Sequence, residues 1–487
     1  MHIVFVTSEV AGVFKLGGLA DVCQSLPKAL GELGHQVTIL LPYYADIDSA
    51  ETTLLGEMHV TYSGVVEKVL VYSKQIDYPL VRILLFKHSK LENYHGAKMI
   101  DTFMFFSFVA TSFCSDHKRF FSERIDIVHV HDWHTALVPV LLNSKERSHE
   151  PKQQSNQYKI PTILTIHNLR YSGTLRDEKM KKIILDLDYW NDPGELNSKD
   201  ILDRKNMPSL LREGLEFCDA ITTVSPTYAK EISVLQEPPI SDVLVRRNNA
   251  FFGILNGIDE IIWNPKKDSF IQYTYDCYTV EVNKKKNKIV LQNLASFSTD
   301  DSYLLGFVGR IEPNQKGIDI IMHALSTIIT DRKLQVVILG KGEDKTEEIM
   351  KQFEHKYFDK IRFINTFDDN LAHQIYAGCD ALLVPSKYEP CGLTQLIAMR
   401  YGTLPIVRKT GGLADTVIDN ETGFVFLDYS ADALAQKIEE SYDLWNNHSE
   451  KWATMVQLAM QSDFTWGKSA KSYVDLYTSL IDKQSIT

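Results

Sequence analysis

The densest chemistry in the chain lies in Ser386-Lys387-Tyr388-Glu389-Pro390-Cys391-Gly392-Leu393-Thr394-Gln395-Leu396. Glu389 can accept hydrogen bonds from hydroxyl groups. The backbone N–H groups of Gly392, Leu393 and Thr394, heading a helical pattern, can hold a phosphate or a sugar hydroxyl. A helix start would also activate the Cys391 thiol, but no histidine is adjacent in sequence, which argues against covalent catalysis. Upstream, Arg310 leaves the apolar run Leu304–Val308, and Lys316 stands before another helical pattern. Two fixed cations aimed at one point suit a departing diphosphate, because charge growing on the leaving oxygen meets groups already in place.

Two further loops share one string. Lys15-Leu16-Gly17-Gly18-Leu19-Ala20-Asp21-Val22 recurs as Lys409-Thr410-Gly411-Gly412-Leu413-Ala414-Asp415-Thr416-Val417, each after an apolar run and at a helix start. In the first, Gly17 and Gly18 allow close backbone approach, Lys15 adds charge, and free helix N–H groups point at a ligand. The repeat suggests two domains of like build, each offering such a cradle, with Gly411 and Gly412 in the second. Neither loop has G-x-G-x-x-G spacing, which disfavours a dinucleotide dehydrogenase.

His129-Val130-His131-Asp132-Trp133-His134 and Ile166-His167-Asn168 end two apolar runs. A metal site on His129, His131 and His134 lacks a supporting carboxylate or cysteine at useful spacing. Hydrogen-bonded histidines are the plainer reading, and no metal or cofactor is expected. Asp132 is placed to accept bonds from sugar hydroxyls, and His167 to line the same wall. Asn256, in Leu255-Asn256-Gly257-Ile258-Asp259, reads first as turn chemistry.

These residues need a frame that collects strand ends. Short apolar runs alternating with helical patterns predict a doubly wound parallel sheet: His2–Glu9, Val37–Leu41, Asp126–His131, Thr162–Ile166 and Ala220–Val224. The series restarts near 250 with Phe252–Leu255, Leu304–Val308, Gln335–Leu339, Ile361–Ile364, Ala381–Val384, Leu404–Val407 and Phe424–Phe426. The expected architecture is α/β, with two doubly wound Rossmann-like domains facing across a cleft, residues 1–250 and 251–465. A tail helix over 466–487, with Ala470, Val474, Tyr477 and Ile481 on one face, is expected to pack back on the first. Leu19, Val22, Leu26, Leu30 and Leu33 form the stripe of the first helix. Between Val37 and Asp126 the looser pattern suggests antiparallel hairpins, and the polar stretch 143–159 a mobile loop. In such folds ligands sit beyond the carboxyl ends of the strands, where most of the residues above fall.

The 487 residues suffice for two or three sizeable cores. With 52 basic and 63 acidic side chains the net charge is −11, which argues against nucleic-acid or anionic-membrane partners. No signal peptide or bilayer-spanning run is expected, and six scattered cysteines without a C-x-x-C suggest a reduced, cytoplasmic chain.

The motifs, in order, resemble those of bacterial glycogen synthases and plant starch synthases, retaining glycosyltransferases of the two-Rossmann (GT-B) class. The matching elements are Lys15–Val22, His131–His134, Ile166–Asn168, Val224–Tyr228, Asn256–Asp259, Trp263–Pro265, Gly309-Arg310, Gln315–Gly317, Glu389–Gln395 and Thr410–Thr416. The resemblance implies transfer of glucose from ADP-glucose to the non-reducing end of an α-1,4-glucan. It implies that Lys15 binds the donor, that Arg310 and Lys316 hold its diphosphate, and that His167 lies beside the glucosyl group. Glu389 matches the essential acidic residue, and Gly17, Gly18, Asp21, Asp132, Asn256, Phe367, Cys391, Gly392, Leu393, Thr394, Gly411 and Gly412 join the substrate-binding set. No carboxylate follows Glu389 where a retaining glycosidase pair would need one, since Ile397 stands there. The leaving phosphate is then the base for the acceptor. Two departures stand out. The family's Arg-x4-Lys interval is one residue longer between Arg310 and Lys316, so the loop bulges or Lys316 is displaced. Phe367 lacks the hydroxyl of the tyrosine often found there. Rival readings are a nucleotide-sugar enzyme with a small acceptor and a non-catalytic glucan-binding relative.

Overall fold

The computed structural model describes residues 1–96, 98–147, 159–175, 209–235 and 240–486. The chain divides into two compact units. The first comprises Met1–Val224, Ala229–Ile254 and Ser469–Thr487, and the second Ser225–Tyr228 and Leu255–Lys468. Ser225 and Thr227 count with the second unit because their side chains are bound there. The Ser225 hydroxyl donates to the Pro390 carbonyl at 2.6 Å, and Thr227 donates from its N–H and hydroxyl to the Asp415 carboxylate.

The first unit is built on nine strands: β1 His2–Val6, β2 Gln36–Pro42, β3 Thr52–Tyr62, β4 Val65–Lys74, β5 Val81–Lys87, β6 Ile127–His131, β7 Thr162–Ile166, β8 Ala220–Thr223 and β9 Phe251–Gly253. Their order is β3-β4-β5-β2-β1-β6-β7-β8-β9. From β5 to β9 every pairing is parallel, whereas β3, β4 and β5 pair antiparallel, which accounts for the looser apolar pattern there. Strand β1 is buried throughout, as a parallel strand covered on both faces must be.

The second unit holds β10 Tyr303–Val308, β11 Leu334–Leu339, β12 Ile361–Ile364, β13 Ala381–Val384, β14 Leu404–Arg408 and β15 Phe424–Phe426. They form an all-parallel sheet in the order β12-β11-β10-β13-β14-β15. Both sheets are therefore of the doubly wound kind. The strand order reverses between β1 and β6 in one and between β10 and β13 in the other, the crevices where such folds bind ligands.

Helix phases follow the sequence with two exceptions. In the helix Gly18–Glu32, Leu19, Val22, Leu26 and Leu30 are buried, but Leu33 is the C-cap and is exposed. In the last helix, Trp466–Ile486, the buried positions include Ala470, Tyr473, Tyr477 and Leu480, while Val474 and Ile481 lie half out. The two tyrosine rings pack on His129, which rotates the buried stripe toward the aromatic pair. Residues 143–147 of the expected loop close the helix Leu137–Arg147, and 148–158 lie outside the described residues.

Close helix–strand packing rests on Gly214, in the helix Leu210–Phe217. A Cβ there would lie 2.3 Å from the Ala136 carbonyl oxygen and 2.7 Å from Leu164. The first of these neighbours is backbone and cannot swing aside. Gly214→Ala is therefore expected to lower stability by about 1–3 kcal/mol, the cost of overpacking. An unchanged urea midpoint, at unchanged slope, would refute this reading of the contact.

Candidate active site

In the first unit the loop after β1 is organised by Glu9, a residue hidden in the sequence as the end of an apolar run. Its nearly buried carboxylate accepts the N–H groups of Leu16 and Gly17 at 2.7 and 2.8 Å. The Gly17 N–H is thus engaged inside the loop, unlike the free donor expected of a bare cradle. A Cβ on Gly17 or Gly18 would meet nothing within 4 Å, so the pair leaves open space. Lys15 is half-exposed, and its ammonium lies 2.7 Å from Asp21 Oδ1.

The carboxyl ends of β6 and β7 carry the histidines. Asp132 has a left-handed backbone (φ 53°), unusual for a residue other than glycine. Its Oδ1 accepts the His167 N–H at 2.7 Å. Burial pushes the Asp132 carboxyl up to about 7, against the pull of the backbone donors of His167 and Asn168. His131 Nδ1 lies 3.1 Å from His167 Nε2. His134 stacks on Trp133 with ring centroids 4.1 Å apart, and its Nε2 meets the Tyr94 hydroxyl at 3.0 Å. Burial pushes the imidazoles of His134 and His167 down to about 3, and those of His129 and His131 well below the usual histidine range. All four are neutral near pH 7. Among the described residues no group of three or more His, Cys, Asp or Glu side chains could hold a metal ion.

In the second unit the strands that flank the order reversal bring Lys316 and Glu389 together. Gly309-Arg310 follow β10, and the longer interval to Lys316 is taken up by a one-turn helix, Pro313–Lys316. Proline opens it, and Gly317 closes it in the left-handed conformation (φ 73°). Lys316 Nζ then reaches Glu389 Oε2 at 2.7 Å, and the Ser386 hydroxyl donates to the same oxygen at 2.8 Å. Arg310 remains half-exposed, bonding Gln315 Oε1 at 2.8 Å with Glu312 at 3.4 Å. The extra residue has thus not carried Lys316 away from Glu389.

Beside this pair, Gly392 has φ 75°, and the Gln395 amide donates to the Cys391 and Gly392 carbonyls. The N–H groups of Gly392, Leu393 and Thr394 lead into the helix Thr394–Arg400. Cys391 is buried, which pushes its thiol up to about 12 and leaves it a poor nucleophile. Asn256 is buried alongside, and its Oδ1 has no partner among the described residues. Phe367, beyond β12, is 70% exposed.

The second Gly-Gly loop differs from the first. A Cβ on Gly411 would lie 1.9 Å from the Glu389 carbonyl oxygen, and one on Gly412 would lie 2.2 Å from that of Cys391. The Gly412 N–H donates to the Glu389 carbonyl at 3.1 Å. These glycines let one loop support the backbone of another, whereas Gly17 and Gly18 border empty space. The shared string therefore serves two mechanical ends.

Comparison with known proteins gives a consistent result. Residues 2–240 match the model of the starch synthase catalytic domain, and residues 294–457 that of glycosyl transferases group 1. The chain is 36% identical to a glycogen synthase of Thermodesulfovibrio yellowstonii over 99% of both chains. It is 37% identical to one of Caldicellulosiruptor saccharolyticus over 99% of this chain and 100% of the other. In structure it is similar to the catalytic domain of starch synthase IV from Arabidopsis thaliana bound to ADP and acarbose (TM-score 0.85, 29% identity, 99% of both chains). A sucrose-phosphate synthase from Thermosynechococcus elongatus shares the fold (TM-score 0.62, 18% identity, 99% of both chains).

The neutral histidines make stability depend on pH with a definite sign. His134 titrates near 6.5 when unfolded but near 3 when folded. Below pH 6.5 the unfolded chain therefore binds more protons, and stability falls as pH drops toward 3. The wild-type chain is expected to lose up to about 1.4 kcal/mol per pH unit more than His134→Gln over that range. Urea midpoints taken between pH 6 and 4 measure this; parallel curves for the two proteins would exclude it.

Proposed function

The chain belongs to the glycogen synthase and starch synthase family, and from that premise we propose that it transfers glucose from ADP-glucose to the non-reducing-end 4-hydroxyl of an α-1,4-glucan, with retention, elongating glycogen. The observation that carries the reading is the Lys316–Glu389 pair at the order reversal of the second sheet, joined by Ser386 and bordered by Arg310 and the Gly392–Thr394 amides. A pre-set cation, a carboxylate and a row of N–H groups suit a sugar diphosphate that must depart as an anion. The ADP and acarbose of the Arabidopsis enzyme support an adenine nucleotide and a glucan-like acceptor for this chain too.

In this proposal Arg310 and Lys316 stabilise the departing diphosphate, and a phosphate oxygen takes the proton of the attacking hydroxyl as the glycosidic bond forms. Glu389, with Lys316 on one oxygen, orients the sugar through its hydroxyl groups and forms no covalent intermediate. Lys15, Gly17, Gly18 and Asp21 are assigned to donor binding, His167 and Asp132 to the glucosyl group, and in the second unit Asn256, Phe367, Cys391, Gly411 and Gly412 to donor binding. No metal or cofactor is assigned. The six free cysteines support a reducing, cytoplasmic setting, and no helix among the described residues is long and apolar enough to cross a membrane.

The test is incubation with radiolabelled ADP-glucose or UDP-glucose, with and without glycogen. Label entering polymer from ADP-glucose is expected. Label in a small product would favour the small-acceptor reading, and glycogen binding without turnover would favour the non-catalytic one. Lys316→Ala is expected to lower kcat about 100-fold or more, the effect of losing about 3 kcal/mol of preorganised charge stabilisation. An enzyme with unimpaired kcat would contradict the assignment.

A further inference from the structure

We propose that His131, packed on a His129 ring that Tyr477 of the C-terminal helix Trp466–Ile486 holds in place, sets the tautomer of His167, which makes His131 a positioning residue for the transfer reaction. The inference rests on the function proposed above for His167; its geometry lies wholly within the first unit.

The Tyr477 hydroxyl lies 2.8 Å from His129 Nδ1, and His129 Nε2 lies 2.6 Å from Thr165 Oγ1. Thr165 continues to Thr222 Oγ1 at 2.5 Å, and all four side chains are fully buried. A buried phenol needs an acceptor for its proton, and burial holds Tyr477 in the protonated form. Tyr477 therefore donates to Nδ1, which leaves His129 with its proton on Nε2, donated to Thr165. The opposite direction would strand the phenol proton. This bond fixes the plane of the His129 ring, on which the His131 ring rests with centroids 4.3 Å apart and planes 33° apart. Phe5 closes on both imidazoles, at 4.8 and 5.1 Å.

His131 meets His129 ring to ring, so its own proton is placed by its other contacts. Its Nδ1 meets His167 Nε2 at 3.1 Å, while its own Nε2 is buried with no partner among the described residues. Both rings are neutral, so one proton lies between them. Were His131 protonated on Nε2, a buried N–H would be orphaned. With the proton on Nδ1, only a lone pair goes unused, the lesser penalty. His131 thus donates from Nδ1 to His167 Nε2, and His167 must carry its own proton on Nδ1. The side chain offers substrate a hydrogen-bond donor there and no acceptor.

The full chain, labelled with ¹⁵N-histidine, tests this directly through the paired ring-nitrogen shifts, with His167 assigned by its loss in His167→Gln. Nδ1–H is expected for His167 and His131, and Nε2–H for His129. In ADP-glucose turnover, His131→Phe is expected to lower kcat about 10-fold with the donor KM unchanged. His131→Asn, whose amide can donate from the same place, is expected to restore most of that loss. Nε2–H on His167, a folded His131→Phe enzyme with wild-type kcat, or an effect confined to KM would overturn the proposal. Should His131→Phe not fold, the wild-type spectrum decides. Should the wild-type chain transfer no glucose, the functional reading fails while the nitrogen shifts still rule on the tautomer.

Discussion

A single carboxylate oxygen organises the second unit. Glu389 Oε2 takes both the Lys316 ammonium and the Ser386 hydroxyl, with the Glu389 side chain only 7% exposed. A pair so enclosed is costly to break, because either partner left alone is an uncompensated buried charge. Much nearby geometry is explained by the need to make it. Gly317 adopts its left-handed turn with the Pro385 carbonyl 2.4 Å from where a Cβ would stand. The Lys387 N–H donates to the Gln315 carbonyl at 2.8 Å and ties the two loops together. Behind Glu389, Gly411 and Gly412 support its backbone where no side chain could fit.

The first unit solves a different problem. The histidines at the ends of β6 and β7 are held without charge, since burial keeps His129, His131, His134 and His167 neutral. Where two neutral imidazoles share a hydrogen bond, as His131 and His167 do, the tautomer of one depends on that of the other. A constellation of that kind is directional in a way that an ion pair is not. Removing one hydroxyl or one ring nitrogen changes what the next group can donate.

The frame and the loops at its strand ends were legible in the sequence, because parallel strands buried on both faces read as continuous apolar runs and their ends as the loops that follow. The Lys316–Glu389 pairing was legible as a set of residues but not as a contact. Nothing in the Arg310–Lys316 interval says that Pro313 and Gly317 will wind the surplus residue into one helical turn. Glu9 was missed because it ends an apolar run, and only the structure shows its carboxylate turned back onto Leu16 and Gly17. The two Gly-Gly strings looked equivalent because a glycine records only that a side chain is absent. One absence leaves open space and the other admits a neighbouring backbone, a distinction carried by residues distant in sequence. The tail helix was similarly ambiguous. Its stripe can be drawn through Val474 and Ile481 or through Tyr473 and Leu480, and the choice depends on His129 awaiting the tyrosine rings.

These contrasts bear on how the chemistry divides between the two units. In the second unit the cation Lys316 stands at the reversal point of an all-parallel sheet, fixed by Glu389. The first unit holds oriented neutral donors, which add no standing field. Burial makes such donors, provided each finds a partner. His129 does so at both nitrogens, His131 at one, and His167 keeps Nδ1 in reserve. An enclosed cation in the first unit would carry a desolvation penalty that these imidazoles avoid. Among the site residues of the first unit, charge is kept instead to Glu9, Asp132 and the partly exposed Lys15–Asp21 pair.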